Sequence, residues 1–182
     1  MPATFPAMLS SDLIFLRPLE ADDLDFLYAL ENDPSVWGVS DTLAPVSRHV
    51  LRQYLDSAAA DFFEVRQLRL IICDTGSRAA VGTLDIFGFE PLHQRAAVGI
   101  TVQREFRRRG YARAALALLV PYARQVLRLH QVYCTISVAN RASIQLFTAA
   151  GFAPVGVRKE WLRTAQGWQN ALEMQLLLQQ GT

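Results

Sequence analysis

The hydrophobic pattern of the chain changes period many times, and each change marks the boundary of a predicted element. Short runs rich in Val, Ile, Thr and Phe, which are typical of strands, occur at seven places: 13–18, 69–73, 79–89, 96–102, 131–138, 153–161 and 170–178. Apolar residues at helical spacing occur at four: 22–33, from 47 onward, 110–128 and 140–150. The predicted order is therefore strand, two helices, three strands, helix, strand, helix and two strands.

This order predicts a mixed α/β fold. Turn residues at 74–76 and a short linker at 90–95 predict two hairpins, in which neighbouring strands are antiparallel. The strand, helix and strand that follow over 96–138 favour a mixed sheet. We expect one domain over residues 10–180, with a sheet of about six to seven strands and about four helices. Inside the third helix, Pro121 predicts a kink or an early end.

Composition and charge exclude several classes of protein. Of the 182 residues, 51% are hydrophobic and 19% charged, which supplies a sizeable core and excludes a disordered chain. The net charge of +1 at pH 7 argues against general binding of polyanions. The two cysteines cannot form a disulfide framework, and their apolar surroundings favour buried thiols in a reducing, cytoplasmic setting. No apolar run reaches the roughly 18 residues of a membrane span, and the first ten residues lack the basic segment of a signal peptide.

A loop rich in arginine, followed by a glycine that begins a helix, is the most informative stretch of the sequence. Residues 102–112 read VQREFRRRGYA. Gly110 permits a ligand to approach the backbone closely, and the helix N-terminus offers unpaired N–H groups that suit phosphate oxygens. Positive charge beside it comes from Arg104, Arg107, Arg108, Arg109 and Arg113. A solvated basic loop that caps an ordinary helix is the alternative interpretation.

A second stretch, NRASIQLFTAAGF at 140–152, begins the next helix after one intervening strand. Asn140 has the properties of an N-cap, and Ile144 and Phe147 have the spacing of core residues. Either stretch alone has an ordinary structural explanation. Together they are far more specific, because each lies at the strand–helix junction that the other requires.

On these two stretches, the sequence resembles the GNAT superfamily of N-acetyltransferases over roughly residues 13–178. Arg107, Gly110 and Ala112 match its (Q/R)-x-x-G-x-(G/A) motif, and residues 140–152 match its N-x-x-(A/S)-x-x-x-(Y/F)-x-x-x-G-F segment. The segments LRPL at 16–19 and ENDP at 31–34 are similar to the opening of the branches that contain ribosomal-protein and spermidine N-acetyltransferases. The resemblance implies a GNAT fold and the transfer of acetyl from acetyl-CoA to a primary amine of a small amine, a polyamine or a protein N-terminus.

The resemblance also implies where acetyl-CoA binds. In the family, the motif amides hold the pyrophosphate, the asparagine contacts the CoA arm, and the pantetheine lies in a splay between the strands at 96–102 and 131–138. Alternation along the first of these strands assigns the main-chain contacts to Val98, Ile100 and Val102. The full set of implied cofactor residues is Val98, Ile100, Val102, Arg107, Arg108, Arg109, Gly110, Tyr111, Ala112, Arg113, Asn140, Ser143 and Phe147.

The implied reaction needs a base for the ammonium proton and, in many members of the family, a tyrosine that protonates the departing thiolate. Asp85 interrupts an apolar strand where related spermidine enzymes carry a glutamate, and we assign it as the base. A solvent-facing aspartate of an alternating strand is the alternative. Phe147 stands at the position of the tyrosine and has no hydroxyl, so Tyr111 and Ser143 are candidate substitutes. Ala97 also lacks a carboxylate that is often found at its position.

We assign the acceptor end to the segment around the loop that follows the first helix. Glu31, Asp33 and Asp41 flank this loop and, with Asp85, would attract a cationic amine. Trp37 in the same loop would instead wall an apolar or aromatic acceptor. Ordinary turn and helix-end roles are the alternative for the three acids of the loop. The histidines form no metal motif, and we expect no metal site.

Two other functions stay open at this level. A protein of the same fold that binds acyl-CoA without turnover, as a sensor or regulatory subunit, is favoured by Phe147 and Ala97. A nucleic-acid-binding module would use the arginine cluster, but the near-neutral charge and the lack of aromatic–basic interleaving argue against it. The expected partners are a small-molecule amine or a protein N-terminus, without nucleic acid or membrane, and the expected assembly is a homodimer or larger homo-oligomer.

Overall fold

Seven strands form one open sheet in the structure, a computed structural model that describes residues 7–37, 44–57, 62–164 and 166–178. The strands are β1 (Ile14–Pro18), β2 (Leu68–Asp74), β3 (Ala80–Glu90), β4 (Arg95–Val102), β5 (Gln131–Ser137), β6 (Ala153–Thr164) and β7 (Gly167–Leu177). Their order in the sheet is β1-β2-β3-β4-β5-β7-β6. Neighbouring strands are antiparallel except β4 and β5, which are parallel. The predicted mixed α/β fold is confirmed.

Six α-helices occur in the described part of the chain. They are α1 (Leu24–Glu31), α2 (Pro34–Trp37), α3 (Arg48–Ser57), α4 (Phe62–Val65), α5 (Tyr111–Gln125) and α6 (Arg141–Ala149). The four longer helices are the predicted ones, whereas α2 and α4 have a single turn and are too short to produce a periodic pattern. Pro34 separates α1 from α2 and is the first residue of α2. An N–H at this position would have no acceptor within the helix, so proline, which lacks the N–H, leaves no donor unbonded. Helix α5 continues through Pro121 to Gln125, three residues short of its predicted end.

The sheet opens between β4 and β5. These strands pair over three rungs, of which the last joins Ala97 to Tyr133. Both strands then continue, β4 to Val102 and β5 to Ser137, and the ladder within the described residues has no further rung. On their outer sides, β4 stays paired with β3 and β5 with β7 over this length. The splay that the resemblance implies is therefore present as a V-shaped gap, with its closed end at Ala97 and Tyr133.

The two faces of the sheet are covered by different helices. Helices α5 and α6 pack on one face, where Leu116, Leu119 and Phe147 join the main apolar core. Helices α1 and α3 pack on the other face near β1 and β2, where Leu27 and Leu51 belong to a second core cluster. The gap connects the two faces, because a sheet that opens between strands has no backbone to separate them.

Candidate functional site

A cavity of about 620 Å³ occupies the gap between β4 and β5, a size typical of small-molecule sites. Its lining residues lie on both faces of the sheet. The side chains on the face of α5 and α6 include Val98, Ile100, Cys134, Ile136 and Phe147. The side chains on the opposite face include Thr83, Asp85, Phe87, Ala97 and Tyr133. We call these two parts of the cavity the α6 half and the Asp85 half.

The start of α5 forms a cradle of backbone N–H groups, residues 108–113, just beyond the Val102 end of β4. Gly110 has a φ of +86°, and Arg108 has a φ of +63°. The first helical hydrogen bond joins the Ala114 N–H to the Gly110 carbonyl (3.0 Å), so the N–H groups of residues 111–113 have no acceptor within the helix. Glycine adopts this left-handed conformation without strain, whereas Arg108 bears a cost that is typical of functional loops. The cradle therefore suits the pyrophosphate of acetyl-CoA.

The arginines of this loop have different surroundings. Arg107 donates through Nε to the Val102 carbonyl (3.0 Å) and through Nη2 to the Ser35 hydroxyl (3.1 Å). These bonds tie the cradle to α2, so Arg107 shapes the loop. Within the cradle itself, Arg108, Arg109 and Arg113 are exposed. These three provide the positive charge that an anionic ligand would meet.

The main chain of β4 faces the gap at alternate residues. The Gln103 N–H donates to the Val81 carbonyl (2.9 Å). The peptide groups of the odd-numbered residues of β4 therefore point towards β3. The peptide groups of Val98, Ile100 and Val102 therefore point towards the gap, as alternation predicts. The Val98 N–H belongs to the last rung with β5 and the Val102 carbonyl already accepts an arginine, so the groups left for a ligand are the Val98 carbonyl, both peptide groups of Ile100 and the Val102 N–H.

Three predicted residues at the start of α6 line the α6 half. Asn140 caps the helix, with its Oδ1 accepting the Ser143 N–H (3.1 Å), and both side chains line the cavity. Phe147 is buried, and its ring meets that of Phe152 edge-on at 5.0 Å between centroids. Ser143 lies one turn before Phe147 on the same face of the helix. The α6 half therefore presents the Ser143 hydroxyl where Phe147 offers only ring carbon.

Cys134 also lines the α6 half, although the sequence does not identify it as a site residue. Burial raises the pKa of its thiol to about 12. The thiolate is the nucleophilic form of cysteine, so this thiol stays inert beside a thioester at neutral pH.

The hydroxyl of Tyr111 lies away from the cavity. It donates to the Asp74 carboxylate (2.9 Å) at the end of β2, and this hydrogen bond raises the pKa of Tyr111. At the end of the sheet where Tyr111 lies, Gly82 on β3 is the partner of Val102 on β4. Asp85 lies three residues further along β3. The Tyr111 hydroxyl is therefore not among the groups that line the cavity, and its role as proton donor stays a prediction. The backbone N–H of Tyr111 remains part of the cradle.

A buried cluster of two carboxylates around one arginine forms the wall of the Asp85 half. Arg69 on β2 is the register partner of Asp85, and its Nε donates to Asp85 Oδ1 at 2.5 Å. Its Nη1 donates to Glu31 Oε1 at 2.7 Å, and its guanidinium lies 5.5 Å from the centre of the Tyr54 ring. Less than a fifth of each of the three charged side chains is exposed. The sequence predicts the two acids as site residues but does not indicate Arg69, since a single arginine in a strand belongs to no motif.

The cluster changes the proton affinity of its members. Burial raises the pKa of Asp85, and the neighbouring charge of Arg69 limits this rise. Burial acts to lower the pKa of Arg69, but the charges of Asp85, Tyr54 and Glu31 outweigh it and the pKa is raised. Arg69 is therefore a permanent cation, whereas Asp85 is a carboxylate with more than the usual affinity for a proton.

Other predicted acceptor residues do not reach the cavity. The Asp33 carboxylate accepts a backbone N–H of α2 (2.8 Å), and this bond holds the pKa of Asp33 below its ordinary value. The Trp37 Nε1 donates to the Glu31 carbonyl (2.8 Å), and Val36 forms the cavity wall in its place. Neither residue is among those that line the cavity, so their contact with an acceptor stays a prediction. Asp41 lies outside the described residues.

Strand β6 contributes an ion pair and an aromatic ring that no motif indicates. Arg158 forms two hydrogen bonds with Glu173 on β7, at 2.7 and 2.8 Å. The Arg158 guanidinium lies 4.5 Å from the centre of the Trp161 ring. All three residues line the cavity, and Trp161 is 52% exposed. They meet only through the register of β6 and β7, which the sequence does not display.

No cluster of three or more His, Cys, Asp or Glu side chains suited to a metal ion occurs in the described ranges. The helices of the described part are all too short or too polar to cross a membrane.

The cradle, the gap between parallel strands and the capped helix α6 define a class of protein. Residues 14–153 match the family model described as "Acetyltransferase (GNAT) domain". The chain belongs to this family, and it is an enzyme that transfers an acetyl group from acetyl-CoA to an amine.

Spermidine N(1)-acetyltransferase of Escherichia coli (strain K12) is 29% identical to this chain over 179 residues, which cover 92% of this chain and 87% of the relative. An uncharacterised N-acetyltransferase of Bacillus subtilis (strain 168) is 24% identical over 161 residues, 87% of this chain and 89% of the relative. The structure of spermidine N-acetyltransferase from Vibrio cholerae in complex with CoA and spermine has a TM-score of 0.84 at 21% identity, covering 92% of this chain and 97% of that one. This likeness shows the shared fold.

Proposed function

We propose that this acetyltransferase acts on the primary amine of a small molecule and that Asp85 is its general base. The observation that carries the proposal is the position of Asp85, a largely buried carboxylate with a raised pKa at the wall of the gap, opposite Gly99 on β4. The relatives from Escherichia coli and Vibrio cholerae support a small amine, because their names specify spermidine.

The α6 half is the proposed place of acetyl-CoA, which supplies the acetyl thioester. The N–H groups of residues 111–113 and the three exposed arginines would bind its pyrophosphate. The Val98 carbonyl and the peptide groups of Ile100 would bind the amides of its pantetheine as a sheet edge binds an added strand. The Nδ2 group of Asn140 is available to the same arm, because Oδ1 caps the helix.

Asp85 would take the proton of the acceptor ammonium, directly or through one water, because only the neutral amine has a lone pair for attack. The amine nitrogen then bonds to the thioester carbonyl carbon, and the carbon–sulfur bond breaks. The nitrogen still carries one proton more than the amide product, and the departing thiolate takes that proton through the Ser143 hydroxyl or a water, since Phe147 has no hydroxyl to relay it. Arg69 would keep Asp85 in place through the 2.5 Å hydrogen bond.

Release of free thiol from acetyl-CoA in a panel of primary amines tests this proposal. We expect the unaltered enzyme to release thiol with at least one amine. Asp85→Asn, which preserves shape and removes basicity, should lower kcat by about 100-fold or more. The exposed Asp56 on α3 provides the matched control, and Asp56→Asn should leave kcat unchanged.

Binding of acetyl-CoA separates the two parts of the proposal. Acetyl-CoA should raise the melting temperature of the unaltered enzyme and of Asp85→Asn alike, because Asp85 lies outside the cradle. Equal kcat values for the two proteins would remove Asp85 from the base role. Thiol release with none of the amines would contradict the proposed function.

We also propose that the enzyme assembles as a homo-oligomer. A structure of the spermidine N-acetyltransferase from Vibrio cholerae is described as dodecameric and supports this proposal, with a TM-score of 0.78 at 21% identity over 92% of this chain and 95% of that one. Light scattering on the purified protein checks it, and a monomer mass would contradict it.

A further inference from the structure

Every carboxylate that lines the cavity within the described residues is already paired with an arginine. The acids of this wall are Glu31, Asp85 and Glu173. The first two share Arg69, and the third forms two hydrogen bonds with Arg158. Over the residues that the structure describes, the wall therefore contains three carboxylates and two guanidinium groups, a net charge of one negative.

This balance suits an acceptor with one ammonium group. The charge of that ammonium would match the net charge of the wall and would disappear when its proton moves to Asp85. A second ammonium would have to displace a guanidinium that lies 2.5 to 2.8 Å from its carboxylate. Otherwise it would lie in the cavity without a counter-charge, which is unfavourable because it gives up its hydration.

Apolar and aromatic surface surrounds the ion pairs of the Asp85 half. Phe87 follows Asp85 on the same face of β3, and its ring lies close to Gly99, 3.4 Å from where a Cβ of that residue would be. Phe87 is 44% exposed, and Trp161 exposes half of its surface. Leu30 and Val36 complete this wall. Contact between these exposed rings and apolar parts of a ligand is favourable, because it removes apolar surface of both from water.

We infer that the preferred acceptor carries a single primary amine on an apolar or aromatic body, and that Phe87 and Trp161 contact this body. The inference rests on the proposed function and narrows it. The inferred acceptor differs from the polyamine spermidine, which is the acceptor in the names of two relatives.

A matched pair of acceptors tests the inference. n-Pentylamine and 1,4-diaminobutane differ only in a terminal methyl group that becomes an ammonium in the diamine. We expect kcat/KM for n-pentylamine to exceed that for 1,4-diaminobutane by about tenfold or more, and 2-phenylethylamine to be at least as good a substrate as n-pentylamine. A preference for 1,4-diaminobutane or spermidine would overturn the inference and leave the proposed function intact.

Two substitutions test the residues that carry the inference. Trp161→Ala should lower kcat/KM for n-pentylamine and 2-phenylethylamine about tenfold, and should leave methylamine, which has no body to contact, unchanged. Trp168→Ala is the control, because Trp168 is 62% exposed on the same hairpin and does not line the cavity. Equal losses for methylamine, or for the control variant, would contradict contact between Trp161 and the acceptor body.

A third substitution addresses the charge. Arg158→Gln leaves Glu173 without its guanidinium partner, and should raise kcat/KM for 1,4-diaminobutane relative to n-pentylamine about tenfold. An unchanged ratio would show that paired carboxylates do not set the preference and would overturn the inference. Thiol release with none of these amines would contradict the proposed function itself.

Discussion

Removal of the charge of Arg69 should move the pH dependence of the reaction, because this guanidinium bridges Asp85 and Glu31. The informative variant is Arg69→Met, which keeps a long side chain and removes the cation. Burial already raises the pKa of Asp85, and Arg69 limits that rise. Without Arg69, burial and the like charge of Glu31 act on Asp85 unopposed. The pKa of Asp85 should therefore rise further.

The size of this rise follows from the geometry. An opposite charge at about 4 Å contributes about 4 kcal/mol at an effective dielectric constant near 20, and such a neighbour lowers a carboxylate pKa by about 1–3 units. The three side chains are less than one-fifth exposed, so solvent screens their interaction only in part. We expect the acidic limb of the kcat profile to move up by about 1–3 pH units in Arg69→Met, with activity recovered at higher pH.

The assay is thiol release at saturating acetyl-CoA and amine, measured across pH for four proteins. Arg69→Lys keeps the charge and should shift the limb less than Arg69→Met, whereas Asp85→Asn should abolish it. Loss of one partner of a buried ion pair costs about 3–5 kcal/mol of stability. The melting temperature and acetyl-CoA affinity of each variant therefore show whether it is folded. A limb at the same pH in the unaltered enzyme and in Arg69→Met would refute this reasoning.

Three further substitutions test the sheet, the cradle and the role of the Tyr111 hydroxyl. Gly82→Ala would place a Cβ 2.3 Å from the Thr101 carbonyl oxygen and should lower the free energy of unfolding by about 1–3 kcal/mol in denaturant titrations, while Gly156→Ala, with no atom within 4 Å, should be neutral. Gly110→Ala meets a cost of about 1–2 kcal/mol at its positive φ, so calorimetry should show acetyl-CoA binding weakened about tenfold; an unchanged Kd would contradict the role of the cradle. Tyr111→Phe should keep kcat within about twofold and lose about 1–2 kcal/mol of stability with the bond to Asp74, and a 100-fold loss of kcat would support Tyr111 as the proton donor.

The extent to which the sequence predicts the site differs between the two halves of the cavity. The α6 half depends on contiguous segments, 107–113 and 140–152, and on main-chain groups whose direction follows from alternation along β4. Local patterns predict such features because a helix N-terminus or an alternating strand has the same geometry in any fold. The four longer helices and the seven strands are predictable for the same reason.

The Asp85 half depends on contacts between distant segments. Arg69, Arg158 and Trp161 come from β2 and β6, and they meet at the gap only through strand register and the position of α1. Asp33 and Trp37 are close in sequence to Glu31 and Val36, which line the cavity. The capping of α2 and a bond to the Glu31 carbonyl determine where the side chains of Asp33 and Trp37 lie. Composition carries no information on either effect, so the acceptor residues were the least predictable part of the molecule.

Because β4 diverges from β5, backbone groups and side chains have different roles at the gap. The opening exists because two strands separate after the rung of Ala97 and Tyr133, so its width is a property of sheet geometry and not of any single side chain. The polar groups that face it on the α6 side include peptide groups of β4, which every sequence possesses. Side chains on the opposite side are thus free to change during evolution without loss of the place for the acetyl donor, and a new acceptor preference requires only a few substitutions.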